Sequence, residues 1–125
     1  MFSLILLVLT SLSVFTTLCN ALCEKSFEDV LSIDCTYSEL TDVPSTEIPN
    51  EVQSLDLSNN QLRKLKKSDW KDYSSLETLY LSGNEIESIE SDAFIDLKKL
   101  MNLDLSNNTI STLEKNAFKV WTQHD

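Results

Sequence analysis

The sequence predicts a repeat solenoid: coils stacked on one another, with a short parallel sheet along one side and a continuous leucine core inside. Three observations predict it. The hexapeptide Leu55-Asp56-Leu57-Ser58-Asn59-Asn60 returns unchanged at 103–108, and Leu-Tyr-Leu-Ser-Gly-Asn stands midway at 79–84. The same 24-residue interval relates seven columns: Leu55/Leu79/Leu103, Leu57/Leu81/Leu105, Asn60/Asn84/Asn108, Leu62/Ile86/Ile110, Leu65/Ile89/Leu113, Trp70/Phe94/Phe118 and Tyr73/Leu97/Trp121. Within each unit the paired leucines flank one variable residue, so an extended segment points both to the same side. One such strand cannot bury its leucines alone, whereas stacking the next unit against it can.

Each unit reads L-x-x-L-x-L-x-x-N-x-L-x-x-L, followed by an aromatic residue, and the units begin at Val52, Leu76 and Leu100. Over residues 52–121 this resembles the leucine-rich repeat, in the longer variety typical of extracellular proteins. The resemblance implies a right-handed horseshoe arc, with a short parallel β-sheet on the concave side and irregular or short helical turns on the convex side. Such turns are expected around residues 68–71, 91–95 and 115–119. It also implies that Asn60, Asn84 and Asn108 form a structural ladder, because a carboxamide both donates and accepts where the chain leaves the strand. Trp70, Phe94 and Phe118 resemble the aromatic spine that fills the wide side of such coils; regular spacing favours packing over a ligand cage.

The order along the chain follows. Residues 1–21 read as a secretory signal peptide, apolar from Leu4 to Leu9 with a softer continuation to Leu18, and with Cys19 and Ala21 as the small residues before a cleavage site. An uncleaved signal anchor is the alternative, but the apolar run is short and broken by Ser and Thr for a span of about 20 residues. Residues 22–51 resemble an N-terminal cap, on Ile33-Asp34-Cys35, Leu40, Val43-Pro44 and Ile48-Pro49. A cap is needed because the first repeat would otherwise expose its leucines and a strand edge. The usual cap has four cysteines; here Cys23 and Cys35 remain, and in an oxidising compartment they have one possible pairing. Repeats follow at 52–75, 76–99 and 100–123, then a tail at 124–125 without a C-terminal cap. The uncapped end has three readings: a piece of a larger ectodomain, self-association through the open face, or closure by Phe118 and Trp121.

Composition excludes several functions. Twenty acidic and ten basic side chains give a net charge of −10, which opposes general nucleic-acid binding. One histidine, at position 124, leaves no base for a nucleophile and no zinc set with the two cysteines, so no enzyme, cofactor or metal is expected. Arg63-Lys64-Leu65-Lys66-Lys67 with Lys71 is basic, and Glu77, Glu85, Glu87, Glu90, Asp92 and Asp96 make the second repeat acidic. An ordinary solvated rim, heparin-like binding and head-to-tail association all fit that alternation. Asn107-Asn108-Thr109 is a glycosylation sequon with Asn107 outward.

Recognition is therefore expected on the concave face: Gln53, Ser54, Asp56, Ser58 and Asn59 in the first repeat; Glu77, Thr78, Tyr80, Ser82 and Gly83 in the second; Met101, Asn102, Asp104, Ser106 and Asn107 in the third. The column Asp56, Tyr80, Asp104 places a tyrosine between two carboxylates, a plausible protein-contact centre as well as a tolerated solvated surface. Gly83 and Tyr80 make the middle copy the distinctive one. Calcium is disfavoured, since Tyr80 separates the aspartates by two strand spacings, roughly 10 Å. The face is smaller than the roughly 20–30 residues a side of a typical interface. The resemblance implies a secreted module binding an extracellular protein or surface glycan, or alternatively a fragment of a receptor ectodomain of the Toll type. If the leucine columns are core, Leu81→Ala lowers stability by about 2–5 kcal/mol, measured by denaturant unfolding.

Overall fold

The computed structural model describes residues 23–25, 31–44 and 48–122. The signal-peptide reading of 1–21 and the tail at 124–125 lie outside the described residues.

Among the described residues eight short strands build two sheets, parallel throughout except for the first strand. The first sheet contains β1 (Glu24–Lys25), β2 (Ser32–Asp34), β3 (Ser54–Asp56), β5 (Thr78–Tyr80) and β7 (Asn102–Asp104), in the order β1-β2-β3-β5-β7. Strands β2, β3, β5 and β7 pair in parallel, and β1 runs antiparallel to β2. Leu55, Leu79 and Leu103 are register partners, so each 24-residue interval is one turn of the solenoid. The hydrogen bonds between coils repeat with it. The Leu57 N–H donates to the Tyr80 carbonyl at 2.8 Å and the Leu81 N–H to the Asp104 carbonyl at 2.8 Å.

Strands β4 (Lys64–Leu65), β6 (Ser88–Ile89) and β8 (Thr112–Leu113) form a second parallel sheet on the return path. The sequence reading did not anticipate this sheet. Two-residue strands are too short to show a period of their own. Short turns on the return path fall where they are expected, around 67–70, 91–96 and 115–122. One 3₁₀ turn covers Lys67–Trp70 and another Lys119–Thr122, and the middle coil has only hydrogen-bonded turns, such as Ile95 N–H to the Asp92 carbonyl. In the first of these, the Lys66 N–H is held by the Asp69 carboxylate at 2.7 Å. Burial raises the Asp69 pKa against the lowering effect of that bond.

The core lies between the sheets. Leu55, Leu57, Leu62, Leu65, Leu79, Leu81, Ile86 and Ile89 are fully buried, with Trp70 and Phe94 on the wide side. The rings of Trp70 and Phe94 lie 6.1 Å apart, and those of Phe94 and Phe118 stack at 5.8 Å. Trp121 packs on both phenylalanines and donates its indole N–H to the Leu100 carbonyl at 3.1 Å. In the third coil the same columns are open: Ile110 is 38% and Leu113 53% exposed, because no further coil covers them among the described residues.

Three carboxamides connect the coils. Asn84 accepts the Leu62 N–H at 3.1 Å and donates to the Leu57 carbonyl (2.9 Å) and the Leu81 carbonyl (3.0 Å). Asn108 repeats this with the Ile86 N–H and the carbonyls of Leu81 and Leu105. Asn60 turns the same groups on the cap, accepting the Ser38 and Leu40 N–H and donating to the Cys35 and Leu57 carbonyls.

The cap is a shortened coil. Ile33 pairs with Leu55, an offset of 22 residues, which sets Cys35 opposite Leu57 and Ser38 opposite Asn60. Cys35 thus takes a leucine's place in the core, fully buried, and is joined to Cys23 by a disulfide across 12 residues. Closing that loop contributes about 3 kcal/mol, mainly by restricting the unfolded chain. Tyr73 ties the cap to the first coil through its hydroxyl, which donates to the Pro44 carbonyl; burial pushes its pKa up to about 12. The buried Trp70 indole N–H has no acceptor among the described residues.

Removing one rung should expose the difference between an inner and an outer coil. Asn84→Ala strands a buried N–H and two carbonyls at roughly 1–3 kcal/mol for each buried group, whereas water relieves part of that loss in Asn108→Ala. Urea unfolding is expected to rank Asn84→Ala below Asn108→Ala in stability.

Candidate interaction face

The concave sheet presents alternate residues to solvent because successive side chains of a strand point to opposite sides. On β3, β5 and β7 these are Ser54 and Asp56, Thr78 and Tyr80, Asn102 and Asp104, with Gln53, Glu77 and Met101 immediately before each strand. Asn102 donates its amide to the Thr78 hydroxyl at 3.3 Å. Tyr80 is 40% and Met101 69% exposed. Ser58 departs from its expected outward position. It is buried, and its hydroxyl accepts from Ser82 at 3.1 Å, so it belongs to the inner lining of the turn.

The aspartate column has a local structural purpose. Register aligns Asp34, Asp56, Tyr80 and Asp104 across four strands. Each aspartate accepts the N–H two residues on: Thr36 at 2.8 Å, Ser58 at 2.9 Å and Ser106 at 2.9 Å. These bonds close the turn at the end of the strand. The Ser106 N–H is the main reason that the Asp104 pKa is lowered. Tyr80 occupies the one place in the column that lacks a carboxylate, and its ring goes to solvent instead.

A second column follows three residues later. Asn59, Gly83 and Asn107 have φ of 58°, 65° and 52°, the left-handed turn by which every coil leaves its strand. Gly83 was expected to mark the recognition surface; its position is explained by the backbone and by its neighbour. A Cβ at Gly83 would lie 2.5 Å from Oδ1 of Asn59. The cap continues this column with Tyr37 at φ 52°, 77% exposed. Sequence reading missed Tyr37, because the cap is out of step with the 24-residue interval.

The basic stretch of the first coil is matched by carboxylates of its neighbours. Arg63 pairs with Glu85 at 3.0 Å, Lys64 with Glu90 at 2.8 Å, and Lys66 with Asp42 of the cap at 3.5 Å. The Lys64–Glu90 hydrogen bond raises the lysine pKa and lowers that of the glutamate. The alternation of sign along the sequence is thus used inside the molecule, between coils. Among the described residues no cluster of side chains suits a metal ion, and no helix is long and apolar enough to cross a membrane.

The family model for the leucine rich repeat matches residues 29–86 and 74–120. This chain belongs to the leucine rich repeat family. Among solved structures it is similar to the crystal structure of human 5T4 (Wnt-activated inhibitory factor 1, trophoblast glycoprotein), with 37% identity, a TM-score of 0.72, and coverage of 78% of this chain and 36% of that one. It is also similar to a chain in the crystal structure of the TLR13–ssRNA13 complex, with 35% identity, a TM-score of 0.54, and coverage of 63% of this chain and 11% of that one. The chain therefore spans about a third of the first and a tenth of the second. A comparison with curated protein sequences finds no match. The family and the fold mark this chain as a protein-interaction module.

Two carboxylates, one ion-paired and one hydrogen-bonded, carry a pH signature. Glu90 and Asp104 have lowered pKa values, so each contributes stability that is complete above the ordinary carboxylate range and is lost as the pH falls through the lowered value. Asp69, raised by burial, acts in the opposite sense. The melting temperature is expected to fall between about pH 5 and pH 2, and Glu90→Gln to flatten part of that fall.

Proposed function

We propose that this chain is a secreted recognition module that binds an extracellular protein through its concave face. The contact set is Gln53, Ser54, Asp56, Glu77, Thr78, Tyr80, Met101, Asn102 and Asp104, with Tyr80 at its centre. One observation carries the reading: Tyr80 interrupts a column of turn-closing aspartates and presents a phenol to solvent. The exchange gives up a turn-closing acceptor, and tyrosine is enriched in the buried centres of interfaces.

A protein partner is favoured over a sulfated glycan. Arg63, Lys64 and Lys66, three of the five cations of the basic stretch, are already engaged by Glu85, Glu90 and Asp42. Secretion is supported by the Cys23–Cys35 disulfide, which persists in oxidising compartments, and by the apolar N-terminal stretch with cleavage after Ala21. In the proposed organisation the cap spans 22–51 and the repeats 52–75, 76–99 and 100–123. A glycan on Asn107, exposed at the exit of β7, would cover part of the concave face and so count against the third repeat as a contact site.

A second reading is a piece of a longer recognition ectodomain. Coverage of 36% and 11% of the similar chains favours it, and a coding sequence continuing in 24-residue units would establish it. Both readings make the same prediction at the face. Tyr80→Ala weakens binding to the captured extracellular partner by at least about tenfold, the effect of a hot-spot tyrosine. The melting temperature stays unchanged, as measured by circular dichroism. Unaltered affinity would remove Tyr80 from the site.

A further inference from the structure

Tyr37 breaks a second structural column, and it does so at a cost. In the repeats the left-handed exit position is held by Asn59, Gly83 and Asn107, the residue types that tolerate positive φ. The cap places a tyrosine there, at φ 52° and 77% exposed. A lone exposed tyrosine is ordinary on a protein surface. A bulky residue held in the left-handed region is not, since the conformation costs it free energy that its side chain does not recover by burial.

Tyr37 and Tyr80 lie on the same border of the molecule. Tyr37 stands three residues past the end of β2 and Tyr80 ends β5, with β3 between them, so the two positions are offset by two strand spacings, roughly 10 Å, across the sheet and by three residues, roughly 10 Å, along it. Carboxylates surround them: Asp34 and Asp56 on β2 and β3, Glu39 in the cap turn, and Asp104 on β7. The outward positions of β2, β3, β5 and β7 carry no cation, while Arg63, Lys64 and Lys66 are paired on the return side.

We infer that Tyr37 of the cap is a second anchor of the concave-face contact, and that the partner is a protein segment presenting Lys or Arg side chains to Tyr37 and Tyr80. The chemistry is that of a cation over an aromatic face with a carboxylate alongside. Two anchors on the cap and the second coil also extend the contact past the small area that three strands supply. The inference rests on the proposed use of the concave face and adds to it a residue and a partner chemistry.

The test pans a displayed library of random dodecapeptides on the full disulfide-bonded chain, then measures the recovered peptides on Tyr37→Asn and Tyr80→Asn. Both variants keep the charge of the face, and Asn is the residue the exit column otherwise uses. Expected are peptides enriched in Lys and Arg, binding lowered about tenfold or more by each variant, and a melting temperature for Tyr37→Asn equal to or above that of the parent. A purely structural Tyr37 would lower the melting temperature when replaced. Loss on Tyr80→Asn with full binding on Tyr37→Asn overturns the inference and leaves the concave-face reading intact. Full binding on both overturns both. Peptides without cationic enrichment, or no peptide competed by the soluble chain, overturn the partner chemistry.

Discussion

The structure depends on one demand of the backbone. Each coil must leave its strand while still inside the protein, and at that corner peptide groups point inward with no water to meet them. Asn60, Asn84 and Asn108 answer it with one side chain per coil, accepting an N–H from the preceding coil and donating to carbonyls on both. The leucines supply most of the burial, but they would tolerate sliding. The carboxamide does not, because its acceptor and donors must meet particular groups. It therefore sets the register that brings Leu55, Leu79 and Leu103 into line.

From that register the face follows. A column that serves the fold becomes recognisable by its chemistry: aspartates that close turns, asparagine and glycine that accept a left-handed backbone, serines that line the corner. Residues that break a column stand out against it. Tyr80 gives up an acceptor and Tyr37 takes up an unfavourable φ, and both rings face solvent. In a protein made of near-identical coils, such exceptions carry more functional information than exposure alone.

Much of the fold was legible in the sequence, because a period of 24 residues repeats every packing position. Leu57, Leu81 and Leu105, or Asn60, Asn84 and Asn108, announce their roles by recurrence. What recurrence could not show lies off that period or below its scale. The cap is offset by 22, so neither the place of Cys35 in the leucine column nor that of Tyr37 in the exit column was visible. Strands β4, β6 and β8 are two residues each and are defined by their neighbours. The pairing of Arg63 with Glu85 and of Lys64 with Glu90 crosses the period by 22 and 26 residues, since long side chains lean along the stack. Of the candidate face, the Asp56-Tyr80-Asp104 column was readable, but the reason that aspartate is the rule there required the bonds to Ser58 and Ser106.

The antiparallel β1 has a consequence for how such a molecule changes over time. It reverses chain direction beside β2, so among the described residues no parallel coil continues the sheet on that side, and the disulfide at Cys23 and Cys35 ties the reversed strand to the core. The stack thus has a polarity, like a polymer with one blocked terminus. A tandem duplication of 24 residues within the array inserts a whole coil, complete with its own asparagine and its own outward positions, and leaves the blocked end untouched. Lengthening the protein and enlarging its surface are then a single genetic event.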